Sequence, residues 1–127
     1  EIAINEEVGL LPYSPLAGGA LSGKYLNGKK PENARMTLFE RMRGRYSNQH
    51  AEKAVLEYQK IAVKYNLNLT QMAINFVTKQ NFVTSNIIGA TSINQLEENI
   101  NSIDCKLNEE VMAEIEKVHK IYTYPCP

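Results

Sequence analysis

Two short apolar runs, each ending in a loop of small residues, most constrain what this chain can become. Val8-Gly9-Leu10-Leu11-Pro12 runs into Tyr13-Ser14-Pro15-Leu16-Ala17-Gly18-Gly19, and Ser85-Asn86-Ile87-Ile88 runs into Gly89-Ala90-Thr91-Ser92. Each run reads as a buried strand and each loop as the exit from its carboxyl end, where α/β folds bind their ligands. Pro12 removes one ladder donor near the end of the first strand, which spans Val8 to Tyr13.

The intervening chain is helical in period. Residues 1–7 read as the end of a helix. Ala51, Ala54, Val55, Tyr58, Ile61, Ala62 and Tyr65 recur at helical spacing and predict a helix over Gln49 to Lys64, stopped by Asn66. Thr70 is placed to cap a second helix burying Met72, Ala73, Phe76 and Val77, and a strand from Ser85 to Ile88 follows. Ser92 opens a third helix with Ile93, Leu96, Ile100 and Ile103 on its apolar stripe; Asn108 opens a fourth carrying Val111, Met112, Ile115 and Val118. Ser14 to Asn48 lacks sustained periodicity and reads as a long loop, the natural cofactor lid. Two strands cannot close a barrel, and parallel strands need both faces covered. The isolated chain is therefore expected to be marginally stable and prone to aggregate at its strand edges.

Composition excludes more than it assigns. With 14 basic and 14 acidic residues, 43% hydrophobic and 22% charged, nothing points to nucleic acid or a membrane surface. Arg41, Arg43 and Arg45 lie close together, but without interleaved exposed aromatics they read as solvated or salt-bridged. No apolar stretch has the length of a signal peptide or membrane span, and the sequence opens Glu1-Ile2-Ala3-Ile4 without methionine. The expectation is a cytoplasmic, truncated chain. Cys105 and Cys126 have no CxxC spacing and read as reduced structural thiols, with no metal site.

The second loop suits a phosphate on physical grounds alone. Gly89 and Ala90 let backbone approach a ligand, and the free amides opening the Ser92 helix carry partial positive charge. The same residues have a purely structural reading, because Ser92-Ile93-Asn94-Gln95 fits an S-x-x-Q capping box. Capping and binding are compatible.

The two junctions, extended through Leu21-Ser22-Gly23-Lys24-Tyr25-Leu26-Asn27-Gly28, Gln95-Leu96-Glu97-Glu98-Asn99-Ile100 and the tail Tyr122-Thr123-Tyr124-Pro125, resemble the aldo-keto reductases, and within them the Tas-like bacterial branch. The resemblance implies an α/β fold: the carboxyl-terminal part, residues 1–127, of a single (β/α)8 TIM barrel domain, with strands 7 and 8 and the helices that flank and follow them. It implies an NADP(H)-dependent oxidoreductase that reduces aldehydes or ketones. By the same resemblance Tyr13 faces the nicotinamide ring, and Ser14, Pro15, Leu16, Ala17 and Gly19 wrap the pyrophosphate with Lys24 nearby. Arg35 clamps the 2′-phosphate and stacks on adenine, a role suited to a planar fork of donors. Gly89, Thr91 and Gln95 face the 2′-phosphate and ribose, and Glu98 and Asn99 reach the adenine edge.

The family's tyrosine, lysine, aspartate and histidine lie before this segment, so no catalytic residue is assigned here. His50 and His119 have no motif linking them to partners and read as surface or packing residues. The partner implied is a small carbonyl substrate of unspecified identity; oligomeric state is not legible. Two other readings stand beside the enzyme: a nucleotide-binding regulatory module similar to channel β subunits, and a truncated, inactive gene product.

Overall fold

The computed structural model describes residues 1–126. In chain order the helices are α1 (Ile2–Asn5), α2 (Arg35–Leu38), α3 (Glu40–Tyr46), α4 (Gln49–Lys64), α5 (Leu69–Thr78), α6 (Ile93–Ile100) and α7 (Glu109–Ile121), with 3-10 turns at Ala17–Ser22, Leu26–Gly28 and Asn101–Asp104. Asparagine opens the three longest. Asn48 Oδ1 accepts the amides of His50 and Ala51, both at 2.9 Å, Asn68 Oδ1 accepts that of Gln71 at 3.0 Å, and Asn108 Oδ1 accepts that of Val111 at 2.9 Å. α4 ends as its sequence predicts. Asn66 takes the left-handed conformation (φ 53°), its amide bonds Val63 O, and Leu67 N closes back onto Ala62 O at 2.8 Å, a Schellman arrangement.

These three helices hold the core. Ala62, Met72 and Val111, each 2% exposed or less, come from α4, α5 and α7 in turn. At about 25 cal/mol per Å2 of apolar surface, burying each such side chain outweighs its propensity differences. Asn75 is buried without leaving a donor idle, because its Nδ2 donates to the Cys105 carbonyl and so fixes α5 to the turn after α6. Lys64 Nζ and Tyr65 OH both meet Glu114, joining α4 to α7. The 26–28 turn is pinned to α4 by Asn27 N donating to Glu52 Oε1 at 2.9 Å. Phe76, Ala73 and Val77 are half-buried; Ile74 and Asn75 take the deeper positions.

The two strand-like runs meet in parallel at isolated bridges, Leu10 with Val83 and Tyr13 with Ile87. Leu10 N donates to Phe82 O at 3.1 Å, Thr84 N to Leu10 O at 2.9 Å and Ile87 N to Pro12 O at 2.8 Å. Gly9 makes room for the Thr84 side chain. A Cβ built on it would lie 1.9 Å from Thr84 Oγ1.

Three expectations are corrected, and the face of α6 is located. The Val8–Tyr13 and Ser85–Ile88 strands reduce to these bridges, since two short runs pair only where their donors and acceptors meet. The cap of α5 is Asn68, two residues ahead of Thr70, which is itself buried. Ser14 to Asn48 is built of two 3-10 turns, α2 and α3, held by single buried residues such as Ala20, Leu26 and Met36 that create no periodicity. The stripe on α6 is exposed: Ile93 at 75%, Leu96 at 44%, Ile100 at 58% and Ile103, in the turn beyond, at 69%. α6 is amphipathic as predicted, but it packs on α5 through Asn99 and Glu98, and the apolar face has no cover within the described residues.

Candidate functional site

Parallel pairing at Tyr13–Ile87 makes both loops leave in the same direction from adjacent positions, so Ser14 and Ile88 start side by side. Tyr13 presents its ring to solvent at 77% exposure. A flat, low-entropy side chain in that setting is free to lie against a planar ligand.

The first loop turns on left-handed residues. Ser14 (φ 59°), Ala17 (48°), Gly18 (65°) and Gly19 (96°) all lie in that region, with Ala17 N bonded to Ser14 O at 2.9 Å and Gly19 N to Leu16 O at 2.8 Å. Lys24 folds back over this turn. A Cβ at Gly19 would come within 2.9 Å of Lys24 Cε and 3.1 Å of its Nζ, so the glycine is what admits the ammonium group to the loop. Its charge also lies 5.3 Å from the Tyr25 ring centre. Pro15 and Leu16 are half-buried behind the turn. Arg35 opens α2 between two buried neighbours, Ala34 and Met36, and Met36 N donates to Tyr25 OH at 3.1 Å. The backbone is anchored while the guanidinium stays exposed. α2 packs on the 17–22 turn and on α3, which places Arg35 on the first-loop side.

The second loop combines binding geometry with a cap. Ser92 Oγ accepts from Gln95 N at 3.3 Å, as a capping residue should. Gln95 reaches one residue further than a capping box requires: its Oε1 accepts both the amide and the hydroxyl of Thr91, each at 3.0 Å. The loop is thereby held rigid, and a Cβ at Gly89 would meet nothing within 4 Å, so that surface faces open space. Asn99, 4% exposed, donates Nδ2 to Gly89 O at 3.2 Å. Glu98 Oε1 accepts from Asn68 Nδ2 at 2.8 Å, and its carbonyl accepts from Gln71 Nε2 at 3.2 Å.

Two groups of predicted residues are thus assembled: Tyr13 through Lys24 around the first turn, with Arg35 beside it, and Gly89 through Asn99 around the α6 start. The strand bridge starts the two loops from adjacent positions. No hydrogen bond or ion pair joins the groups among the described residues, and Lys24 and Arg35 take part in no ion pair. Unneutralised cations, close-approach backbone and the opening turn of an eight-residue helix are groups of the kind that stabilise an anion. Asn68 and Gln71 escaped the sequence reading. The signal available was Asn-Leu-Thr-Gln itself, obscured by placing the cap at Thr70.

Titration shifts lie on α4 and α7, at Cys105 and in the tail. Burial, reinforced by Glu116, raises the Tyr58 phenol, and burial raises the thiols of Cys105 and Cys126 against the opposing charges of Lys79 and Arg45. His50 and His119 are exposed. The tail returns to the start of α4, where Asn48 Nδ2 donates to Pro125 O at 2.8 Å. No helix of the described residues is long and apolar enough to cross a membrane.

Residues 1–120 match the family model described as the Aldo/keto reductase family. Protein tas of Escherichia coli K12 is 51% identical over 127 residues, all of this chain and 36% of that protein. A probable voltage-gated potassium channel subunit beta of Oryza sativa is 35% identical over 115 residues, 87% of the chain and 35% of the relative. L-glyceraldehyde 3-phosphate reductase of Escherichia coli O157:H7 is 33% identical over 118 residues, 89% of the chain and 34% of the relative. The chain spans about a third of the length of the curated relatives it matches. With a family match over nearly the whole chain, it belongs to the aldo/keto reductase family, as a fragment of a Tas-like member.

Proposed function

We propose that this chain supplies the dinucleotide-binding end of a cytoplasmic NADP(H)-dependent carbonyl reductase. In this reading its two bridged runs are strands 7 and 8 of a (β/α)8 barrel, and residues 1–127 are the carboxyl-terminal part of that single domain. The observation that carries it is the parallel Tyr13–Ile87 bridge, from which the glycine-rich turn bearing Lys24 and the loop leading to α6 both depart. Tyr13 lies against the nicotinamide. Ser14, Pro15, Leu16, Ala17 and Gly19 wrap the pyrophosphate next to Lys24. Arg35, Gly89, Thr91 and Gln95 meet the 2′-phosphate and ribose, and Glu98 and Asn99 line the adenine edge. When bound, the cofactor supplies the hydride that takes an aldehyde or ketone to its alcohol. The residues of this chain bind and orient it; proton transfer belongs to residues outside the segment.

The relative named as a channel subunit supports a second reading, a non-catalytic nucleotide-binding regulator using the same loops. Fluorescence titration of the complete gene product tests the cofactor site. Arg35→Glu is expected to weaken NADPH far more than NADH, because only NADPH carries the 2′-phosphate; equal losses would refute the clamp. Carbonyl-dependent oxidation of NADPH then separates enzyme from regulator.

A further inference from the structure

We propose that Asn68 is a positioning residue for the adenine end of the cofactor site, acting through Glu98; the inference rests on the cofactor reading above. Asn68 uses both ends of its amide. Oδ1 caps α5 by accepting from Gln71 N at 3.0 Å, and Nδ2 donates to Glu98 Oε1 at 2.8 Å. The cap fixes the side chain, so the donor is already aimed before Glu98 meets it. Gln71, from the same first turn of α5, holds the Glu98 carbonyl at 3.2 Å. One residue on, Asn99 is tied to the Gly89 carbonyl at 3.2 Å. Glu98 and Asn99 are therefore held from two sides, by α5 and by the phosphate-facing loop.

The choice of residue is informative. Serine, threonine or aspartate would cap α5 about as well, but only asparagine both caps and offers an N–H to a carboxylate. With one oxygen of Glu98 engaged by Asn68, the other is directed as an acceptor. An exocyclic amine, such as the N6 amino group of adenine, is the matching donor.

The test is cofactor titration of the complete gene product carrying Asn68→Ser, which preserves the cap and removes the donor. NADPH affinity is expected to fall about 3- to 10-fold, the size of one ordinary hydrogen bond, because the lost contact acts on the cofactor only through Glu98. Binding of reduced nicotinamide mononucleotide, which lacks the adenosine half, is expected to stay unchanged, and so is thermal stability. In a Glu98→Ala background Asn68→Ser is expected to have no further effect. Asn68→Asp sets a second carboxylate against Glu98 and is expected to weaken NADPH more at neutral pH than in mild acid. Unchanged NADPH affinity in Asn68→Ser, with Arg35→Glu still weakening it, would overturn the positioning role alone. Equal loss of both ligands would reduce Asn68 to a purely structural cap. Failure of Arg35→Glu and Glu98→Ala to affect NADPH would instead remove the cofactor reading beneath it.

Discussion

The two halves of this molecule solve the burial problem differently. In the helical half, α4, α5 and α7 cover one another, and every long helix is capped by an asparagine from its own sequence. In the loop-bearing half, two bridged runs and α6 carry comparable apolar residues that stay largely exposed among the described residues, including Val8, Leu11, Ile93 and Ile100. The helical half supplies stability; α6 and the turn after it are tied to it through polar contacts, Asn68 and Gln71 to Glu98 and Asn75 to Cys105, while the first loop is anchored by Leu21 and Leu26 on the helical core. A site can be shaped by hydrogen bonds while its surrounding apolar surface awaits a partner.

The contrast is tested most severely in the core. Met72→Ala removes a side chain that is 2% exposed and is expected to cost about 2–4 kcal/mol, read as a shift in the denaturation midpoint of the helical signal. Next comes Gly9→Val, whose branched Cβ collides with Thr84; a local cost of about 1–3 kcal/mol is expected, read as faster amide exchange at Thr84 and Ile87. If that substitution lowered the helical midpoint as much as Met72→Ala, the two halves would be one cooperative unit. Ile100→Asp, on the exposed face of α6, is expected to change the stability of the isolated chain by less than about 0.5 kcal/mol, yet to destabilise the complete gene product clearly. Equal small effects in both would mean that face stays solvated.

The smallest effect is the pH dependence of the α4–α7 link. The hydrogen bond from Lys64, aided by Tyr65, holds the Glu114 carboxyl below the usual carboxylate range. A carboxyl lowered in this way stabilises the fold above its unfolded pKa, and the contribution disappears as pH falls through the folded value. Lys64, raised chiefly by the hydrogen bond with Glu114, behaves oppositely and loses its contribution above the usual lysine range. Both groups are solvent-screened, so the stability gap between wild type and Glu114→Gln is expected to be slight at neutral pH and to close in acid.

Legibility in the sequence followed the same division. α4 was readable to the residue because its apolar period, its Asn66 stop and its length all agree. α7 was readable from Asn108 and its stripe. The α6 stripe is legible as a pattern, but its exposure is not, because periodicity records which face is apolar and carries nothing about what covers it. The segment from Ser14 to Asn48 hid its turns because isolated buried residues produce no period. At the candidate site, Ser92 and Gln95 were placed by local pattern, whereas the grip of Asn68 and Gln71 on Glu98 spans about thirty residues of sequence and leaves no local trace.

Asn48 gives the tail an unusual dependence. Its carbonyl oxygen serves the first turn of α4, while its amide holds the carbonyl of Pro125, 77 residues later. The two duties are separable: Asn48→Asp or Asn48→Ser would keep the helix start and let the tail go. Among the described residues, the hydrogen bond that ties the tail to the start of α4 can therefore be removed without unwinding the helix it shares.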